Sequence, residues 1–192
     1  MMVSKRLQRV GFAALILLLL LAIAITSAVF YIHRNDNFHV VDPGRFYRSA
    51  ELKPSQIDKA IQQYGIKSIL NLEGDKTGRP WYDAEKAIAA DHGIVHYDYH
   101  LSAGKRLTPG QVDDVLAIVR EAPKPILVHC KDGSDRTGLV AALYLAEILH
   151  RDPDAAYDQL SLRYGHFKYL GSSTAAMDET FWATVDPAHH SE

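Results

Sequence analysis

A single cysteine in 192 residues excludes a disulfide-stapled scaffold. Positive charge is also in short supply. The 21 Lys and Arg stand against 23 Asp and Glu, a net charge of -2, which excludes a generally basic nucleic-acid binder. At 23% charged residues the chain is no more charged than an ordinary globular protein, so it is not a disordered one. No repeat or low-complexity tract interrupts it. It also has no Gly-x4-Gly-Lys-[Ser/Thr] run of the kind that cradles a nucleotide triphosphate.

A long hydrophobic run is present. Val10 to Ile32 carries no charged residue and includes the wholly apolar stretch Leu15 to Leu21. At about 1.5 Å per residue, a helix of that length spans the roughly 30 Å hydrocarbon layer, so residues 10–32 are expected to form one transmembrane helix. Lys5, Arg6 and Arg9 precede it in a basic tail, residues 1–9. That fits both a positive-inside anchor and the n-region of a secretory signal. Thr26-Ser27-Ala28 offers small residues suited to cleavage, but the apolar run continues past them, which favours a retained signal-anchor. Either reading exports the rest of the chain. The expected location is the cytoplasmic (inner) membrane, single-pass, with the domain on the periplasmic or extracytoplasmic side.

Residues 1–34 hold four basic residues and no acid, so the remaining 158 carry 17 basic and 23 acidic side chains, a net charge of -6. A body this acidic attracts no anion through its overall field, so an anionic ligand needs a local cationic pocket. After a linker at 33–37, the domain is expected over 38–185, with a flexible tail at 186–192. Its pattern is alternating strands and helices, an α/β fold with a central, mostly parallel sheet flanked by helices. His39-Val40-Val41, the turn Asp42-Pro43-Gly44 and Arg45-Phe46-Tyr47-Arg48 read as a hairpin whose arginines are surface or loop anchors. A helix is expected over Pro54–Tyr64, N-capped by Ser55 and stopped by Gly65, then a strand over Ile66–Leu72. The next helix starts near Pro80 and stops at Gly93, followed by a strand over Ile94–Tyr99. Thr108-Pro109 starts a helix with the core stripe Val112, Val115, Leu116 and Val119. Pro125 to Cys130 reads as a central strand buried on both faces, since its apolar run is continuous. An apolar helix comes next, to Leu149, with two more over Pro153–Tyr164 and Thr174–Val185.

The chemistry is concentrated between that buried strand and the apolar helix, in His129-Cys130-Lys131-Asp132-Gly133-Ser134-Asp135-Arg136-Thr137-Gly138. Ligands of open α/β sheets collect at the carboxyl ends of strands, and a loop feeding a helix N-terminus aims several backbone N–H groups at one point, which suits a phosphate. Residues 131–136 are the candidate phosphate binders, with Arg136 able to clamp two phosphate oxygens. Cys130 at the base of the loop would share the same positive potential and be favoured as a thiolate nucleophile.

That segment resembles the signature His-Cys-x2-Gly-x2-Arg-[Ser/Thr]-Gly of the cysteine-dependent protein tyrosine phosphatase superfamily, and every fixed position matches. The order of elements is similar to the compact dual-specificity branch, and Arg45-Phe46-Tyr47-Arg48-Ser49 with Ile69-Leu70-Asn71-Leu72 looks like a bacterial subgroup of it. The resemblance implies a metal-independent phosphomonoester hydrolase with no cofactor. In it Cys130 forms a phosphocysteine, Arg136 holds the phosphoryl oxygens, Thr137 stabilises the leaving thiolate and His129 orients and acidifies the cysteine.

The general acid departs from the pattern. Family members carry an aspartate on the loop after the preceding strand, but His100 to Pro109 contains no carboxylate. Asp98 upstream and Asp135 within the signature loop are the two candidates. Asp132-Gly133-Ser134-Asp135-Arg136 is similar to the Asp-Gly-x-Asp-Arg loop of the myotubularin lipid phosphatases, where an aspartate inside the loop has that role, which places Asp135 ahead. Lys131, with Lys105 and Arg106 at the rim, would suit a substrate carrying more than one phosphate charge. The substrate is therefore expected to be a phosphorylated protein or a lipid-linked or inositol phosphate. A catalytically weak, phosphate-binding pseudophosphatase is the alternative that the missing loop aspartate keeps open. His92, His96 and His100 recur every four residues, but along a strand they are spread too far for one metal ion, and none is expected. His166, in Tyr164-Gly165-His166-Phe167, follows a helix end and is placed to reach the site, although packing is the commoner role of such a residue.

Overall fold

In the computed structural model, residues 11–24, 26–27, 36–169 and 173–186 are described. The chain divides into two compact units, residues 1–35 and 36–192. In the first, residues 11–24 and 26–27 are helical, and the side chains of Phe12, Leu15 to Leu21 and Ile23 are exposed. Residues 11–24 rise about 21 Å, short of a roughly 30 Å hydrocarbon layer. Among the described residues no helix is long and apolar enough to cross a membrane, so the transmembrane helix expected over 10–32 is not found there. Residues 10, 25 and 28–32 of that span, the basic tail 1–9, residues 33–35 of the linker and the tail after Asp186 lie outside the described residues.

The second unit is an α/β domain with a five-stranded sheet. The strands are β1 (His39–Asp42), β2 (Phe46–Ser49), β3 (Ser68–Asn71), β4 (Val95–Asp98) and β5 (Ile126–His129), ordered β1-β2-β5-β3-β4. Only the β1–β2 hairpin is antiparallel. Ser49 and Asn71 both register on His129, and Asn71 on Asp98, so the carboxyl ends of β2, β5, β3 and β4 align along one edge.

Alternation along the strands feeds two cores. Phe46, Leu70, Ile126 and Val128 enter the larger, with Val112, Val115, Leu116 and Val119 from α3 (Pro109–Glu121) and the buried face of α4 (Asp135–Leu143). Tyr47, Ile69 and Leu127 enter the smaller, with Ile57, Ala60 and Ile61 from α1 (Pro54–Tyr64). β5 is therefore buried on both faces. The hairpin is more than a peripheral feature, because β2 pairs in parallel with β5 in the interior of the sheet. Arg45 stays exposed as expected, but Arg48 is fully buried, which corrects its reading as a surface anchor.

Boundaries are set by the caps. Lys53, not Ser55, caps α1: Pro54 takes the first helical position, and the Lys53 N–H donates to Gln56 Oε1 at 2.9 Å. Gly65, at φ 64°, ends the helix. Thr108 caps α3 by accepting from the Gln111 N–H at 3.3 Å. α2 covers Pro80–Asp91. The apolar helix after the signature loop passes from α4 into a π-helical turn, Tyr144–Ile148. The helix expected over Pro153–Tyr164 is instead α5 (Pro153–Tyr157) and a 3-10 turn (Leu162–Tyr164), because the Gln159 carbonyl between them accepts from Arg48 Nη1 at 2.8 Å. The final helix, α6, is Ala175–Val185.

Candidate active site

Cys130 directly follows β5 and is 2% exposed, and the loop it opens runs into the N-terminus of α4. The shape of this loop is fixed from outside. The Lys131 carbonyl accepts from the Glu51 N–H (3.2 Å), the Asp132 carbonyl from Asn37 Nδ2 (3.0 Å) and the Gly133 carbonyl from Arg48 Nη2 (2.7 Å). The Ser134 carbonyl accepts from the Gly138 N–H (3.0 Å), with Arg48 Nη2 at 3.4 Å. In a trans peptide each N–H points opposite to the carbonyl before it, so four outward carbonyls turn the N–H groups of residues 132–135 to the inner side. Such a concave row of N–H donors at a helix N-terminus is an anion site.

Gly133 permits the turn. Its φ is +68°, and a Cβ there would lie 2.5 Å from the Ala50 nitrogen and 2.6 Å from the Ser49 carbonyl carbon. Lys131 and Asp132 are exposed on the rim, whereas Ser134 is buried. Among the described residues Arg136 reaches the carbonyls of Leu72 and Leu101 alone, each at 3.5 Å through Nη1, and its buried Nε has no partner there. A guanidinium so weakly engaged keeps donors for a ligand. Thr137 Oγ1 is likewise buried without a partner and makes no hydrogen bond to Cys130.

His129 is held by a residue that the sequence reading missed. Its Nε2 lies 3.0 Å from Glu85 Oε1, and both side chains are almost wholly buried. Burial opposes charge on the imidazole, but the Glu85 carboxylate outweighs it and raises the His129 pKa. Glu85 in turn is opposed by burial but lowered to about 2 by His129 and His96, the latter 2.8 Å away through Nε2. In its charged form, which Glu85 favours, the imidazole adds positive potential beside Cys130 at the base of the loop. Glu85 left one signal in the sequence: it lies three residues after Tyr82 and four before Ala89, on the buried face of α2.

The two candidate acids sit in different places. Asp98 ends β4, two strands from β5, and four side chains hold it: Tyr82 Oη donates at 2.7 Å, Asn71 Nδ2 at 3.0 Å, and Lys86 Nζ and His96 Nδ1 lie at 3.6 and 3.5 Å. Asp135 is within the loop, at the first turn of α4, and its Oδ1 is 2.7 Å from His166 Nδ1. His166 is thus more than a packing residue. Its Nε2 lies 3.1 Å from Asp178 Oδ2, and although burial opposes charge, the two carboxylates raise its pKa to about 9. Tyr157 Oη donates to the other Asp178 oxygen.

Lys105 is exposed, and Arg106 is 3.9 Å from Glu179. His92, His96 and His100 face separate partners, Asp58, Glu85 and the Glu73 carbonyl, and among the described residues no group of three or more His, Cys, Asp or Glu could hold a metal ion.

A sequence profile described as the tyrosine phosphatase family matches residues 32–160. The dual specificity protein phosphatase TpbA of Pseudomonas aeruginosa (strain UCBPP-PA14) is 30% identical over 116 residues, 59% of this chain and 49% of that protein. The chain therefore spans about half the length of the curated relatives it matches. Among solved structures, P. aeruginosa TpbA in complex with pTyr superposes with a TM-score of 0.56 at 23% identity, covering 79% of this chain and 91% of that one. The core catalytic domain of the PP-IP phosphatase SIW14 from S. cerevisiae, in complex with citrate, has a TM-score of 0.59 at 24% identity, covering 74% and 83%. These structural likenesses establish the fold.

Proposed function

The chain belongs to the tyrosine phosphatase family, and from that premise we propose that it hydrolyses phosphomonoesters through a phosphocysteine intermediate. The observation that carries this reading is the loop over Cys130, whose carbonyls are turned outward and whose Arg136 retains an unpartnered Nε. A phosphoryl group seated there accepts from the N–H groups of residues 132–135 and from Arg136. The Cys130 thiolate attacks phosphorus, an S–P bond forms as the P–O bond to the leaving group breaks, and Asp135 passes to the departing oxygen the proton that it shares with His166 Nδ1, 2.7 Å away. Water, deprotonated by the same carboxylate, then attacks the phosphocysteine and releases inorganic phosphate and the thiolate, to which Thr137 can donate.

Asp135 is preferred over Asp98 because it belongs to the loop itself, while Asp98 is committed to four partners at the edge of the sheet. Phosphotyrosine is the first substrate class to try, since TpbA has been crystallised with pTyr. The exposed Lys131 beside the Asp-Gly-x-Asp-Arg loop and the fold likeness to a PP-IP phosphatase support a second class, inositol or lipid-linked phosphates. We further propose that the charge-free run Val10–Ile32 attaches the chain to the inner membrane with the domain on its outer side; this reading is supported by the sequence run and the basic residues before it.

The test is phosphate release from an aryl phosphate, a phosphotyrosine peptide and a phosphoinositide, with chelator present, by the wild type and by Cys130→Ser. Turnover that disappears in the variant supports the cysteine mechanism, and the preferred substrate chooses between the two classes. Turnover that survives in Cys130→Ser rules the mechanism out, and a folded wild type that binds phosphate without releasing it from any substrate turns the reading to a binding protein.

A further inference from the structure

Arg48 is fully buried, and among the described residues its hydrogen-bond partners are all neutral. Nη1 donates to the Gln159 carbonyl (2.8 Å) and to Gln159 Oε1 (2.9 Å), and Nη2 to the carbonyls of Gly133 (2.7 Å) and Ser134 (3.4 Å). The guanidinium lies 4.0 Å above the Tyr164 ring, and among the described residues no carboxylate pairs with it. A buried cation is ordinarily tolerated only beside an opposite charge. We propose that the counter-charge of Arg48 is the anion of the site itself, the Cys130 thiolate or the bound phosphoryl group, so that Arg48 is a second cation of the phosphate site acting from behind the loop.

This role for Arg48 rests on reading residues 130–136 as a phosphate site. Arg48 cannot touch the substrate, because the loop lies between them; it is a positioning residue. Its two loop partners are the carbonyls whose peptides present the N–H groups of Ser134 and Asp135 inward. Donation to a carbonyl polarises its peptide and strengthens the N–H on the other end as a donor. Arg48 thus fixes the direction of two donors and adds charge behind them. The groups facing it are consistent with that role. Burial lowers its pKa to about 10, with Tyr164 and Cys130 opposing, so it remains charged at neutral pH. His39 is lowered to about 4 by burial and by Arg48 and Arg163, so it is neutral there, and Arg163 lies 5.6 Å from the Tyr164 ring.

Because Cys130 is the only cysteine, its alkylation by the neutral reagent iodoacetamide reports one site. The full chain, wild type and with Arg48→Gln or Arg48→Lys, is compared for inorganic phosphate affinity by calorimetry and for alkylation rate at pH 7. Loss of a charged hydrogen-bonding group predicts that Arg48→Gln weakens phosphate binding and slows alkylation by roughly tenfold or more, and that Arg48→Lys, which keeps the charge but not the fork, restores most of both. Wild-type values in a folded Arg48→Gln overturn the inference. So does an Arg48→Lys protein that folds and is more than tenfold impaired in both, and this arm decides the matter alone if Arg48→Gln fails to fold. A wild type that neither binds phosphate nor releases it from any ester removes the phosphatase reading and this inference together, whereas active wild type with unaffected variants removes the inference alone.

Discussion

Asp135, at the first turn of α4, and His166, 31 residues later in the chain, are joined by a 2.7 Å hydrogen bond. Through its other nitrogen His166 reaches the buried Asp178, so the carboxylate proposed as general acid is fixed in direction by a residue anchored on α6.

Asp135→Asn is expected to lower kcat by about 10²–10⁴-fold on phosphotyrosine, whose phenolate needs a proton to leave, and far less on an aryl phosphate with an acidic leaving group. Asp98→Asn should show no such dependence on the leaving group. The reverse pattern, measured on a series of aryl phosphates, would transfer the role to Asp98.

Folding raises the His166 pKa from 6.5 to about 9. The folded chain therefore holds a proton that the unfolded chain has released above pH 6.5. The stabilisation is complete below pH 6.5 and is lost as the pH rises through 9, a change on the order of 3 kcal/mol at most. Urea unfolding from pH 6 to pH 10 should show this decline, and His166→Asn should flatten it; a wild-type slope unchanged by the substitution contradicts the assignment.

Glu85→Gln leaves the His129 imidazole buried beside a neutral amide. Removing one partner of a buried ion pair costs about 3–5 kcal/mol. The midpoint of unfolding should fall accordingly. Alkylation of Cys130 in the folded variant should also slow, because His129 loses the carboxylate that favours its charge. An unchanged alkylation rate would limit Glu85 to a structural role.

Gly133→Ala meets both a φ of +68° and backbone atoms of Ser49 and Ala50 within 2.7 Å. At Gly138 a Cβ would sit 2.8 Å from the Gln159 carbonyl oxygen and 3.4 Å from Arg48 Nη2. Both substitutions should abolish phosphate release and destabilise by ~1–3 kcal/mol, read together by thermal unfolding and product assay. Wild-type turnover in Gly133→Ala would show that the loop can adopt a different path.

The order of strands and helices was legible because periodicity, caps and turn residues are local: the stripe of α3 and the stop at Gly65 appear where the residues put them. The signature loop was legible for the same reason, its reactive groups being neighbours in sequence. Arg48, Asn37 and Glu85 were not, since each acts across 44 or more residues, and chain order alone does not tell which side chain the sheet will carry inward; His166 stood out only by its place after a helix end, without its partner Asp135. Arginine in a short hairpin is usually exposed, but insertion of β2 beside β5 leaves Arg48 no route to water.

That insertion also sets a schedule. The braces of the loop come from residue 37 at one extreme and residue 166 at the other, with 48, 51 and 85 between them. A chain emerging from the ribosome exposes Cys130 well before His166 is available to hold Asp135. For that interval the thiol is present without its finished surroundings, and a nascent chain arrested just after α4 should carry the whole signature yet be inactive.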